Sequence, residues 1–187
     1  MDAGISSIQV KGVRRVPKDK ERESREAISR LMEQYGSRLL RLCALYLKDG
    51  HLAQDAVQET FLRAYRHWQD YRRDASEITW LSTIAMNICR DMKKSAWLRH
   101  WNRRIDPDRL PEIPVDFSFP DDTVLSAVMA LPDRYRAAVL LRYYHGMKLK
   151  ETAAALGISD SAVRKRLRNA GAILRERLKE WYFDEEE

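Results

Sequence analysis

Two stretches of this chain gather cations beside aromatic or amide side chains, the make-up of a nucleic-acid surface. From Arg90 to Arg104 stand Arg90, Lys93, Lys94, Arg99, Arg103 and Arg104 against Asp91 alone, with Trp97 and Trp101 interleaved. Just upstream lie Trp68, Tyr71, Arg72, Arg73, Trp80 and Asn87. Basic groups track phosphates, while aromatic faces stack on unpaired bases for about 1–3 kcal/mol each. Asn87 can present both a donor and an acceptor to an extruded base. Trp80 fits a bundle core better than a stacking platform. The second stretch, Ser159 to Asn169, carries Arg164, Lys165, Arg166 and Arg168 against Asp160. On a helix it leaves Ser161, Ala162, Arg164, Lys165, Arg168 and Asn169 on or near the outward face. Such a helix fits the major groove, where Arg and Lys engage guanine O6 and N7 and Asn engages adenine. The plainer alternative is an ordinary solvated face.

Nothing beside these runs suggests bond-making chemistry. Cys43 and Cys89 form no CxxC pair and sit inside apolar helical patterns, against a disulfide scaffold or a zinc finger. His51, His67, His100 and His145 are scattered and read as surface or capping residues. No carboxylate pair stands out, and the seven glycines form no phosphate-cradling loop. The expectation is a protein with no catalytic residue, no metal and no cofactor. The 187 residues carry 34 Lys and Arg against 28 Asp and Glu, a net charge of +6, and 44% are apolar, enough for a packed core. No run approaches the roughly 18 apolar residues of a membrane helix, and the N-terminus lacks a signal-peptide core, so a cytoplasmic location is expected.

The elements that must position these side chains are all helices. Residues 1–20 read as a flexible basic arm. From about Glu21, Ile28, Leu31, Met32, Tyr35, Leu39, Leu42, Cys43 and Tyr46 recur at steps of three and four, with Lys48-Asp49-Gly50 closing the helix. A second stripe holds Leu52, Ala56, Val57, Thr60, Phe61, Ala64 and Trp68, and a third Ile78, Leu81, Ile84, Ala85, Ile88 and Met92. Short connections make these three neighbours in one bundle over residues 21–96. Residues 97–120 hold four of the six prolines and read as a linker between independently folded parts. Helices resume over 121–182, and an acidic tail, 183–187, ends the chain. Within the second part, the Ala-rich segment Glu151–Leu156 makes a short helix and Gly157 supplies a left-handed turn residue. Ser159 or Asp160 caps a longer basic helix to about Tyr182, which gives a helix-turn-helix. Its small core would be Ala153, Leu156, Ile158, Val163 and Leu167. The fold class is therefore all-α: two small helical domains joined by a flexible Pro-rich linker, the C-terminal one a helix-turn-helix.

Three ordered segments carry a family resemblance. LAQDAVQETFL (52–62), TWLSTIAMNICRD (79–91) and LPDRYRAAVLLRYYHGMKLKETAAALGIS (131–159) flank a linker of the expected kind. With them the chain resembles an extracytoplasmic-function (ECF) sigma factor, a bacterial transcription initiation factor of the sigma-70 family. Gln54 stands where the family commonly has Glu, Lys165 where it often has Ser, and Asn169-Ala170-Gly171 replaces a more basic run.

The resemblance implies a first domain that binds core RNA polymerase, at its beta and beta-prime subunits, through Asp55, Gln58, Glu59 and Leu62. By helical spacing alone these four share one polar face, which would otherwise pass for solvated surface. It also implies that Arg72, Arg73, Trp80, Asn87, Arg90, Lys93 and Lys94 meet the −10 promoter element, the loop Tyr71–Glu77 capturing a flipped base. The C-terminal helix would then read the −35 element. Promoter DNA and an anti-sigma factor, membrane-bound in many relatives, are the implied further partners. Two rivals differ in surfaces: a conventional helix-turn-helix regulator leaves the first domain unexplained. A sigma mimic that titrates an anti-sigma factor has no use for the basic aromatic surface near 90–104.

Overall fold

The computed structural model describes residues 18–103 and 122–179, and all regular structure among them is helical. In chain order the elements are α1 (Lys18–Leu47), α2 (Gly50–Arg66), a 3-10 turn (Trp68–Asp70) and α3 (Glu77–Arg103). Then follow α4 (Asp122–Met129), α5 (Asp133–Val139), a π-helical turn (Leu140–Tyr144), α6 (Leu149–Leu156) and α7 (Asp160–Arg177). Most of the expected basic arm and linker, and the acidic tail, lie outside the described residues. The side chains of 96–103 do too, including Trp97, Arg99, Trp101 and Arg103.

The apolar stripes become buried faces. Leu31, Leu39, Leu42 and Cys43 of α1, Ala53, Ala56 and Ala64 of α2, and Leu81 and Ala85 of α3 are closed off from solvent. Each fully buried Leu contributes about 1.5–3 kcal/mol. Two helix ends differ from the sequence expectation, and a third was not specified by it. Lys48, not Gly50, takes the left-handed conformation after α1, with φ 60°, because Asp49 must turn to cap α2 through Leu52 N at 2.9 Å. Ser76 caps α3, its Oγ accepting from Thr79 N at 3.3 Å. And α3 runs on to Arg103, seven residues into the stretch read as linker, since no proline precedes Pro107 there.

Helix α3 is buried on two faces. One faces α1 and α2; the other, which carries Ser82 and Arg90, meets the second part of the chain. Ala137, Ala138, Leu140, Leu141, Met147, Ala155 and Leu156 join the same buried cluster, so one core runs through both helical parts. The sequence presents these parts as separately folded; here they are packed together.

The helix-turn-helix is as the sequence anticipates, except that α7 ends at Arg177, short of the expected Tyr182. Glu151 accepts from Lys148 N at 2.6 Å to start α6. Gly157, at φ 64°, ends it, with Gly157 N donating to Ala154 O and Ile158 N to Ala153 O. Ser159 Oγ then caps α7, accepting from Ala162 N at 3.2 Å. Gly171 meets only the far end of Arg175, so neither close packing nor a clash explains it.

Two buried polar residues tie the parts together. Arg136 is 1% exposed. Its guanidinium donates to Met129 O and Leu131 O at 2.9 Å, to Tyr46 O at 3.0 Å, and to Asp133. His145, expected on the surface, is 5% exposed, with Nδ1 2.9 Å from Ser82 Oγ and Nε2 lacking a partner. The π-helical turn drives it inward: His145 N donates to Leu140 O, five residues back, which rotates the ring off the helical register. Burial, and then the nearby Arg38 cation, push its pKa down to about 4.

Arg136→Met strands the carbonyls of Met129, Leu131 and Tyr46, and is expected to lower unfolding free energy by about 3 kcal/mol in urea titrations. His145 gives a pH signature. The unfolded imidazole takes up a proton near pH 6.5 and the folded one only near 4. Its contribution is therefore complete above about pH 6.5 and is lost as pH falls toward 4. Urea midpoints should drop across that window, with a shallower slope in His145→Asn.

Candidate nucleic-acid and polymerase interfaces

The polymerase-facing candidates fall on α2, whose inner side is pinned by Ala53, Ala56, Thr60, Phe61 and Ala64. That pinning leaves Asp55, Gln58 and Leu62 exposed and Glu59 half-buried on the outer side. Leu62 is 51% exposed, an apolar end to an otherwise polar strip. Glu59 Oε1 takes Arg63 Nε at 2.7 Å, so Arg63 is engaged within the helix while Arg66 is exposed.

The second site is built where the 3-10 turn leads into α3. Trp68, Tyr71 and Trp80 form an aromatic cluster: Tyr71 and Trp80 stack at 4.6 Å, and Trp68 lies 5.6 and 6.1 Å from them. Trp68 is buried and Trp80 half-buried against the core, the packing that the core alternative for Trp80 anticipates. Out of this base springs the loop 71–77. Tyr71 Oη donates to Ala75 O, folding the loop back on itself, and Arg73 sits at φ 62°. A left-handed arginine costs about 1–2 kcal/mol, strain of the kind held at functional loops. At the loop's end Glu77 accepts two bonds from Arg30 of α1, at 2.6 and 3.1 Å. That guanidinium holds the Glu77 carboxyl below the usual carboxylate range. Neither Arg30 nor Ser76 was legible as a brace for this loop; the Ser-Glu pair at 76–77 is the only local hint.

The seven −10 candidates divide into three groups. Arg72, Arg73, Asn87 and Lys94 are exposed, and steps of seven residues put Trp80, Asn87 and Lys94 along one side of α3. Trp80 belongs to the aromatic cluster. Arg90 and Lys93 instead reach the second helical part: Arg90 donates to Leu156 O at 3.0 Å, and Lys93 pairs with Asp133 while lying over the Tyr46 ring.

On α7, buried Val163 and Ala170 hold the inner face, leaving Ser161, Arg164, Lys165 and Arg168 exposed. Ala162 is half-buried, and Ser161 Oγ lies 2.9 Å from Ser159 Oγ. Asn169 is half-buried, its amide donating to Tyr135 Oη at 3.3 Å. Arg134 stacks over the same Tyr135 ring and donates to its hydroxyl, and these contacts lower the phenol pKa, the Asn169 bond most. Tyr135 thus sets the Asn169 rotamer from α5, across a separation no sequence period reports. Three exposed cations on or beside one helix face, with a capped N-terminus, can meet a phosphate backbone and base edges.

No group of His, Cys, Asp or Glu among the described residues could hold a metal, and no helix among them is long and apolar enough to cross a membrane. Residues 31–102 match the sigma-70 region 2 family and residues 121–171 the sigma-70 region 4 family. The chain is 32% identical over 161 residues to the ECF RNA polymerase sigma factor SigL of Mycobacterium tuberculosis, covering 80% of this chain and 88% of that one. It is also 32% identical over 145 residues to the sigma factor RfaY of Xanthomonas campestris, a longer relative of which it spans 35%. Among solved structures, the sigma factor RpoE of Bartonella quintana, crystallised with the anti-sigma factor NepR, superposes with a TM-score of 0.70 at 18% identity. That alignment covers 82% of this chain and 98% of that one. With both halves matched in order and a relative aligned along most of its length, the chain belongs to the family of ECF RNA polymerase sigma factors.

Proposed function

We propose that this chain directs core RNA polymerase to promoters by three separate surfaces, assigned residue by residue. Asp55, Gln58, Glu59 and Leu62 on α2 dock the polymerase. Arg72, Arg73, Asn87 and Lys94, with Arg90 and Lys93 once free of the second half, hold the non-template strand of the −10 element. Ser161, Ala162, Arg164, Lys165, Arg168 and Asn169 read the −35 duplex. The domain division follows: 21–96 for polymerase and −10 binding, 121–182 for −35 binding, and 97–120 setting their spacing. The observation that carries this reading is that exposed members of each set project from a helix whose opposite face is buried, joined in the −10 set by Arg72 and Arg73 on the loop 71–77.

The chain makes no bond itself; the polymerase performs phosphoryl transfer. Opening duplex DNA costs about 1.4 kcal/mol per stacked step. A surface that binds only separated strands shifts that equilibrium by its differential affinity. The braced loop 71–77 beside the exposed Asn87 gives such a surface a preformed shape, at the cost of the strain at Arg73. An anti-sigma factor as inhibitory partner and a cytoplasmic location complete the reading. The Bartonella relative's complex supports the first.

Asn87→Ala should leave duplex anchoring intact while lowering the yield of permanganate-reactive open complexes about tenfold, roughly one lost hydrogen-bonded contact. Arg164→Ala and Lys165→Ala should weaken −35 duplex binding. A residue that reads a base loses about 1–3 kcal/mol at one promoter position, whereas a phosphate contact weakens all sequences alike and reduces the salt slope by about 1. Arg73→Gly, which relieves the left-handed strain, should gain up to about 1 kcal/mol in thermal unfolding while losing single-strand affinity. Unchanged open-complex yield in Asn87→Ala together with unchanged duplex binding in both α7 variants would overturn the assignments.

A further inference from the structure

A group of hydrogen-bond donors stands beside the outer face of α7, contributed from α5. The Tyr135 ring packs onto the small apolar cluster of Leu131, Val139 and Ala170, and its hydroxyl comes out at the rim beside Asn169. There the Tyr135 oxygen accepts twice, from Asn169 Nδ2 at 3.3 Å and from Arg134 Nη2 at 3.0 Å. Those two bonds use its accepting capacity, so the O–H can act only as a donor, and it donates to no group among the described residues. Arg134 is exposed, its guanidinium 4.6 Å from the ring centroid. Lys165, one turn before Asn169 on the same side of α7, is exposed and near enough for its charge to act on the phenol. The adjacent carboxylate, Asp133, is held by Lys93 and Arg136 instead. The Asn169 bond, then the Arg134 and Lys165 charges, draw the phenol pKa down, so these surroundings favour negative charge at the hydroxyl.

We propose that Tyr135 and Arg134, with Lys165 completing the charge, clamp one backbone phosphate of the duplex that lies on α7, extending the −35 surface onto α5. The proposal rests on the −35 reading of α7. A phosphodiester presents two unbridged oxygens that share one negative charge. The Tyr135 O–H serves one and the Arg134 and Lys165 cations the other, a charge-assisted set. An isolated rim arginine would be a solvated charge; here the phenol is already oriented by two bonds and a packed ring, with its donor free. Tyrosine loses little conformational freedom on binding, having two side-chain torsions. Phosphate contacts position a protein on the duplex without reading sequence, so the clamp sets the depth and angle at which α7 enters the groove. Asn169 links the clamp to the bases. One of its N–H groups goes to Tyr135, which leaves the other N–H and Oδ1 for the paired contact with adenine. Phosphate capture on α5 and base reading on α7 are thereby joined through one hydrogen bond.

The test uses the full chain and a fluorescein-labelled duplex, the sequence the chain enriches most from a randomised double-stranded pool. Anisotropy is followed across potassium chloride concentrations. Tyr135→Phe keeps the ring and its packing and removes the hydroxyl. It should weaken binding about fivefold, the scale of one hydrogen bond, with the salt slope unchanged. Arg134→Ala should weaken binding and reduce the salt slope by about 1. A methylphosphonate scan, which neutralises one phosphate at a time, should find a position where the unmodified chain loses affinity while Tyr135→Phe and Arg134→Ala lose little more. Unchanged affinity in both variants, or no such position, overturns the proposal. So does an effect of Tyr135→Phe that vanishes in an Asn169→Ala background, because the tyrosine then acts only through that amide. Arg164→Ala keeps the two readings apart. If it too leaves binding unchanged, or the chain enriches no sequence, the −35 reading fails and the clamp with it. If it weakens binding while Tyr135→Phe and Arg134→Ala do not, only the clamp fails.

Discussion

The buried guanidinium of Arg136 is the contact on which the arrangement depends. A cation at 1% exposure is tolerable only when its desolvation is repaid by acceptors, and four converge here: three carbonyls and Asp133. One of those carbonyls, Tyr46 O, belongs to the other half of the chain. The same side chain therefore fixes the α4–α5 turn internally and fastens α5 to the end of α1. Removing its charge would leave helix ends without partners in a seam closed to water.

Around that fastening, the three candidate surfaces obey a common geometric rule. Each occupies the outer face of a helix whose inner face is locked by small or branched apolar residues: alanines on α2, Leu81 and Ala85 on α3, Val163 and Ala170 on α7. Rigid helix faces preserve the relative positions of charged groups that no local hydrogen bonds hold. Where a loop must contribute, as at 71–77, it is braced at both ends, by the aromatic cluster and by Arg30 on Glu77. The strained backbone at Arg73 is held between these braces, which is where an energetic cost can persist without unravelling the loop.

Much of this was legible in the chain itself, for a physical reason. Apolar periodicity reports which side of a helix is buried, so the stripes in α1, α2 and α3, the left-handed Gly157 and the cap at Ser159 could be read from local spacing. Contacts whose partners lie far apart in sequence could not. Arg136 and His145 have polar identities that argue for the surface, and only the meeting of two helical parts buries them. The π-helical turn at 140–144 has no period of its own in the sequence. The reach of α3 to Arg103 was hidden because basic and aromatic residues there mask a helical pattern. At the candidate sites, Asn87, Lys94 and Arg164 are exposed as expected, whereas Arg90, Lys93 and Asn169 have protein partners that spacing could not foretell.

Run-off transcription with purified chain and core RNA polymerase on a library of bacterial genomic fragments tests the family assignment and its three-surface mechanism most directly. The expected result is a set of discrete transcripts, absent with core enzyme alone, whose start sites share two upstream sequence elements at fixed separation. A chain that neither binds core polymerase nor adds any start site would contradict the assignment outright.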